Sequence, residues 1–173
     1  MKVSGRTAAY RKAVAAAVAC GISSGASPAL AACPVELATY GEPESGARVE
    51  FTPVVESAAV TNSFRMLLGD DVVLDGIVMW TEGVSRSYGM LMYKCPSGDV
   101  TGEEIAACTV WEGVVYASDK AGKIGLLPAE GEPAPDLLLF ADLGPSVAAS
   151  PALQPLGLAK KPWDVFSLDG CQE

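Results

Sequence analysis

The chain contains no histidine. A Ser-His-Asp or Cys-His catalytic arrangement, a His-ligated zinc or haem and an imidazole proton shuttle are therefore excluded. Aromatic residues are also scarce, 7% of the 173 residues, so the core is expected to take most of them and leave few to stack on sugars or pack on a partner. No apolar run approaches the roughly 20 residues that a membrane-crossing helix needs. There is no Gly-x-x-x-x-Gly-Lys-Ser/Thr phosphate loop, no Gly-x-Ser-x-Gly elbow and no glycine-rich dinucleotide loop after a first strand. Tandem repeats, heptads and long low-complexity tracts are absent as well. Nothing in the sequence calls for a cofactor.

Basic residues are few, and a third of them stand at the start of the chain. Lys2, Arg6, Arg11 and Lys12 precede the apolar run from Ala13 to Ile22, no acidic residue occurs before Glu36, and Ala29-Leu30-Ala31 has the small-x-small form of a cleavage site. These three parts predict a secretory signal over residues 1–31, cut between Ala31 and Ala32, with one mature domain over residues 32–173. Arg11-Lys12 is a poor version of a twin-arginine signal, which indicates export of the unfolded chain. Leu30-Ala31-Ala32-Cys33 also resembles a lipobox, in which Cys33 is the acylated first residue. Cysteine arithmetic favours the cleaved form. Without Cys20, which lies in the signal, Cys33, Cys95, Cys108 and Cys171 are an even set suited to two disulfides in an oxidising compartment, here the periplasm or exterior of a bacterium.

With those four basic residues set aside, residues 32–173 carry 8 basic against 21 acidic residues, a net of -13. Such a chain is repelled by nucleic acid and by anionic membrane surfaces. The acidic excess serves solubility or the attraction of a cationic partner.

From Ala47 to about Ala117 the apolar runs are short, rich in Val, Met, Tyr and Trp, and punctuated by Gly and Asp. Strands are expected over Val49–Val55, Ser63–Leu68, Val72–Thr81, Ser87–Cys95 and Thr109–Ala117, with Asp75-Gly76 read as a bulge or a tight hairpin. Pro53 suggests an edge or bulge in the first of these. The fold class is mainly β: an antiparallel meander closing into a sandwich or small barrel, with one or two short helical turns and disulfide staples. Thr101-Gly102-Glu103-Glu104 has the spacing of a capping box and predicts a short helix to Ala107. It lies between Cys95 and Cys108, which are expected to pair, leaving Cys33 to pair with Cys171. Seven of the 12 prolines fall between Pro128 and Pro162, which marks an irregular C-terminal third. Within and after it, Asp136–Ala141 and Trp163–Leu168 read as strands, Asp142-Leu143-Gly144-Pro145 as a stop, and Ser146–Leu153 as one or two helical turns.

The residues with chemical potential each have a bland alternative. Tyr116-x-x-x-Lys120 has the spacing of a proton-transfer pair on one helix face, but it straddles a strand end and a turn. Asp70, Asp71, Asp75, Glu82, Glu103 and Glu104 are the candidates for a glycosidase-type acid pair, and nearly all sit beside glycines where turns solvate them. Asp99, Thr101 and Glu103 alternate like calcium ligands without the rest of a calcium loop. Met79, Met90 and Met92 are candidate thioether ligands for Cu(I), set against the ordinary use of Met to fill core gaps. Trp80, Tyr88, Tyr93, Trp111 and Tyr116 lie on neighbouring strands and form a stacking surface if they are exposed. The expected function is a non-catalytic binding, interaction or structural domain of the envelope, with a protein or glycan partner. A carboxylate enzyme acting on carbohydrate and a Met-based copper protein are the alternatives.

Overall fold

The computed structural model describes residues 32–55, 59–69, 71–80 and 86–173. Residues 1–31, expected to be a secretory signal ending at Ala31, and the candidate acids Asp70 and Glu82 lie outside the described residues. Among the described residues there are nine strands: β1 (Ala38–Glu42), β2 (Ala47–Thr52), β3 (Val60–Leu68), β4 (Val72–Trp80), β5 (Ser87–Met92), β6 (Thr109–Ser118), β7 (Ile124–Leu126), β8 (Leu137–Phe140) and β9 (Val165–Cys171). Two short helices, α1 (Gly102–Cys108) and α2 (Leu143–Ala149), accompany them. Every strand pairing is antiparallel. The order β5-β4-β3-β2-β1-β9-β8-β6 closes through β5 and β6 into an eight-stranded barrel, and β7 adds a further strand beside β6.

An eight-stranded barrel has an interior about wide enough for side chains to fill. Alternation supplies them: Ala38 and Tyr40, Val49 and Phe51, Phe64 and Met66, Leu74 and Val78 point inward from successive strands and are almost fully buried. The rings form a connected chain, Tyr40 to Phe51 to Phe64 to Phe140, with Trp111 and Phe166 against Phe140, at centroid distances of 5.4 to 5.9 Å. Burial, and secondarily the charge of Asp136, raises the Tyr40 phenol well above its ordinary range, so it stays neutral and donates to the Pro135 carbonyl at 2.9 Å.

Asp75-Gly76 makes neither a bulge nor a hairpin. Strand β4 runs straight through it, with Gly76 paired to Phe64 on one side and Leu91 on the other. The glycine is there for space: a Cβ at this position would meet three atoms of the Phe64 ring at 2.4 to 2.6 Å. The irregularities fall instead between Thr39 and Tyr40, Val60 and Asn62, and Leu91 and Met92. Pro53 ends β2 rather than lying within it.

Both ends of the barrel are covered. Val35, in a 3-10 turn before β1, and Leu127, after β7, are buried in the core. Where β8 finishes, Leu143 and Val147 of α2 and the following Leu153 join the core, and the Trp111 indole donates to the Ala141 carbonyl at 2.8 Å. Strand β8 ends before Asp142-Leu143-Gly144-Pro145 as expected, and helix α2 begins within that stretch at Leu143, earlier than the expected Ser146, with Pro145 in its first turn, where a proline is tolerated. Asp164 carboxylate oxygens accept from the Asp142 and Gly144 amides at 2.9 and 3.4 Å and cap that turn. Helix α1 has the expected capping box between Thr101 and Glu104. The disulfides pair as expected, Cys95 with Cys108 and Cys33 with Cys171, at Cα separations of 5.3 and 5.7 Å within the usual range.

Candidate functional site

With the interior occupied by side chains, the surfaces left for function are on the outside. The outward residues divide the barrel wall into two unlike halves. On β9, β1, β2 and β3 they are chiefly polar: Ser167 and Asp169, Thr39, Arg48 and Glu50, Ser63 and Arg65. On β4, β5, β6 and β8 they are chiefly apolar: Ile77 and Met79, Met90 and Met92 with Tyr88, Val114 with Tyr116, and Leu139, continuing to Val165 at the start of β9. Register makes the second set contiguous. Met79 faces Tyr88 and Ile77 faces Met90; Tyr88 faces Val114, Tyr116 faces Leu139, and Leu139 faces Val165.

These residues are half-buried by one another. At the margin, Ile124 of β7 is 65% exposed. Between Ile124, Tyr116, Leu137, Leu139 and Val165 lies a groove of about 180 Å³. Arg86 donates to the Tyr116 hydroxyl at 3.1 Å, and the Tyr88 hydroxyl donates to Glu112 at 3.0 Å. Burial first, then the bond and charge of Glu112, raise the Tyr88 phenol above its ordinary value.

The five aromatic candidates separate. Trp111 is a core residue, 2% exposed, and Tyr93 packs against the core. Tyr88 and Tyr116 share the apolar wall, whereas Trp80, paired with the buried Ser87, has the inward phase of β4 and is exposed at the strand's end. The methionines separate too. Met66 fills the interior, whereas Met79, Met90 and Met92 are all on the outer face of β4 and β5. Tyr88, opposite Met79, is four residues from Met92, about 13 Å along a strand. One ion therefore cannot take all three sulfurs, and Met90 is the shared member of the two pairs that come within reach.

The candidate acids are dispersed. Asp71 is in the turn before β4, Asp75 faces out from β4, and Glu103 and Glu104 are in the first turn of α1. Bonds from the Thr101 amide and hydroxyl hold the Glu104 carboxyl below its ordinary value. No group of three His, Cys, Asp or Glu with metal-holding geometry occurs among the described residues.

The acid that sequence reasoning missed is Glu42, 2% exposed at the end of β1 beside an open concavity of about 400 Å³ that also includes Arg48 and Asp169. Burial pushes its carboxyl up, but bonds from the Ser45 hydroxyl and the Glu44, Ser45 and Trp163 amides outweigh that and hold it below its ordinary value. A glycosidase acid needs the opposite shift. Glu42 is the organiser of the β1–β2 turn, and only that local Glu-x-x-Ser spacing hinted at it.

The molecule is a disulfide-stapled, eight-stranded antiparallel barrel with a filled interior and an outer wall that is polar on one half and apolar on the other. No protein-family model, curated protein or solved structure matches the chain.

Proposed function

We propose that this protein is an exported, non-catalytic binding domain of the bacterial envelope that docks a polypeptide partner on the apolar half of its barrel. The observation that carries the reading is the contiguous outer face from Ile77 to Val165, apolar where a solvated barrel wall would alternate to polar. Its make-up favours protein over glycan. Sugar binding relies on open aromatic platforms, whereas this face is built from Met, Val, Ile and Leu with two half-buried tyrosines.

Two disulfides support export, because such bonds persist in oxidising compartments. No helix among the described residues is long and apolar enough to cross a membrane. The Cys33 sulfur that a lipobox would acylate is bonded to Cys171, which supports cleavage before Ala32 over lipidation.

Photo-crosslinking in expressing cells tests the reading. A crosslinking residue at Val114 should give a discrete polypeptide adduct, one at Glu50 on the polar half should not, and the mass of the adduct should show a chain starting at Ala32. Equal labelling from both positions, or none from Val114, overturns the docking reading.

A further inference from the structure

We infer that the partner presented to this apolar face is cationic: a polypeptide surface with basic side chains around an apolar centre. The inference rests on the docking reading above and adds the chemistry of what docks. Two carboxylates are set into the apolar wall itself, Asp75 directly opposite Met92 and Glu112 directly opposite Met90. On the polar half the acids have cations, Arg48 with Asp169 and Arg65 with Glu50. Asp75 and Glu112 have no ion pair with a described residue. Arg65 faces Asp75 across β3 and β4 but sends its guanidinium to Glu50 at 3.1 Å. Among the described residues, Glu112 accepts a side-chain hydrogen bond from the Tyr88 hydroxyl at 3.0 Å.

Lysine and arginine suit this arrangement, because their methylene stems cover apolar surface while the charged head reaches a carboxylate. Thioethers at Met90 and Met92 adapt to such stems. The net of -13 over residues 32–173 acts in the same direction at long range. It draws a basic partner in and repels a second copy of this chain.

The test uses the exported chain and three amphipathic helical peptides of about 18 residues, each with a leucine face and a polar face of Lys, Gln or Glu. The Lys peptide is expected to bind at least tenfold more tightly than the Gln peptide, with the Glu peptide weakest. Raising salt from about 0.05 to 0.5 M should erase most of that difference, since screening shortens the reach of exposed charges. The isosteric pair Asp75→Asn with Glu112→Gln should lower Lys-peptide affinity at least fivefold more than Gln-peptide affinity, which separates charge from folding.

Equal binding of the Lys and Gln peptides, both lost in Val114→Glu, overturns the cationic partner and leaves the docking face standing. Equal binding that survives Val114→Glu overturns both. A salt-stable dimer that excludes every peptide and is broken by Val114→Glu assigns the face to a second copy and overturns the inference.

Discussion

Glu42 shows how one side chain can organise a turn from inside a barrel wall. Its two oxygens take the donors of the β1–β2 connection and, through the Trp163 amide, a segment 121 residues away in sequence. Replacement by Gln keeps the shape but removes the charge that these donors were placed to meet. Because hydrogen bonds to a charged group contribute about 1.5 to 3 kcal/mol, Glu42→Gln is expected to cost about 2 kcal/mol at neutral pH. The pH dependence follows from the direction of the shift. A carboxyl held below its ordinary value of 4.5 contributes stability above that value and loses it as pH falls through the lower folded value. Urea titrations should therefore show the gap between wild type and Glu42→Gln closing below about pH 4.5; a gap independent of pH would refute the charged role. Nothing in the sequence near Glu42 reveals that Trp163 shares the bond, which is why composition and spacing passed it over.

At the scale of elements, strand β4 and its glycine make the sharpest prediction. The Phe64 ring occupies the space a Cβ at Gly76 would need, so Gly76→Ala forces either the ring or the strand to move. Overpacking of this kind costs about 1 to 3 kcal/mol, and we expect the upper end because the ring is itself packed between Phe51 and Phe140. A midpoint in thermal or urea unfolding unchanged from wild type would show that the ring has room.

The same strand explains what a reader of the sequence can and cannot see. The strands from Val60 to Ser118, the capped helix at Thr101 and the cysteine pairing are legible, because turn residues, alternation and spacing are local signals. Strand β1 is not. Ala-Thr-Tyr-Gly-Glu lacks a β-branched apolar run, and it becomes a strand because Ala38, Tyr40 and Glu42 alternate into a core that other strands complete. The three-residue β7 carries too little pattern to read, and Asp-Leu-Gly-Pro hides the start of α2 behind residues that also end elements. The candidate site is legible only in part. Leu91 and Tyr93, interleaved with Met90 and Met92, read as a strand covered on both faces; closure into a single barrel covers one face and leaves the other as the outer wall. Sequence identifies the apolar residues but not which side of the sheet becomes the outer wall.

For the whole molecule, the two staples act on very different lengths of chain. Cys95 and Cys108 are 13 residues apart and Cys33 and Cys171 are 138 apart. Chain entropy assigns the short loop about 3 kcal/mol and the long one about 5 kcal/mol. Removing the long bridge with Cys33→Ala and Cys171→Ala should therefore lower unfolding free energy by more than Cys95→Ala with Cys108→Ala. The reverse order in urea titration would mean that native strain or residual unfolded structure, rather than loop length, sets the effect.

The long bridge also decides how the barrel meets a mechanical load. Cys33 lies just ahead of β1 and Cys171 is the last residue of β9, and the two strands are hydrogen-bonded neighbours. A pull applied between residue 32 and residue 173 passes through the sulfur–sulfur bond from Cys33 to the last residue of β9 and bypasses the chain between them. The ladders that close the wall are shielded from tension between Cys33 and Cys171, and the proposed docking face stays undeformed while the chain is under strain.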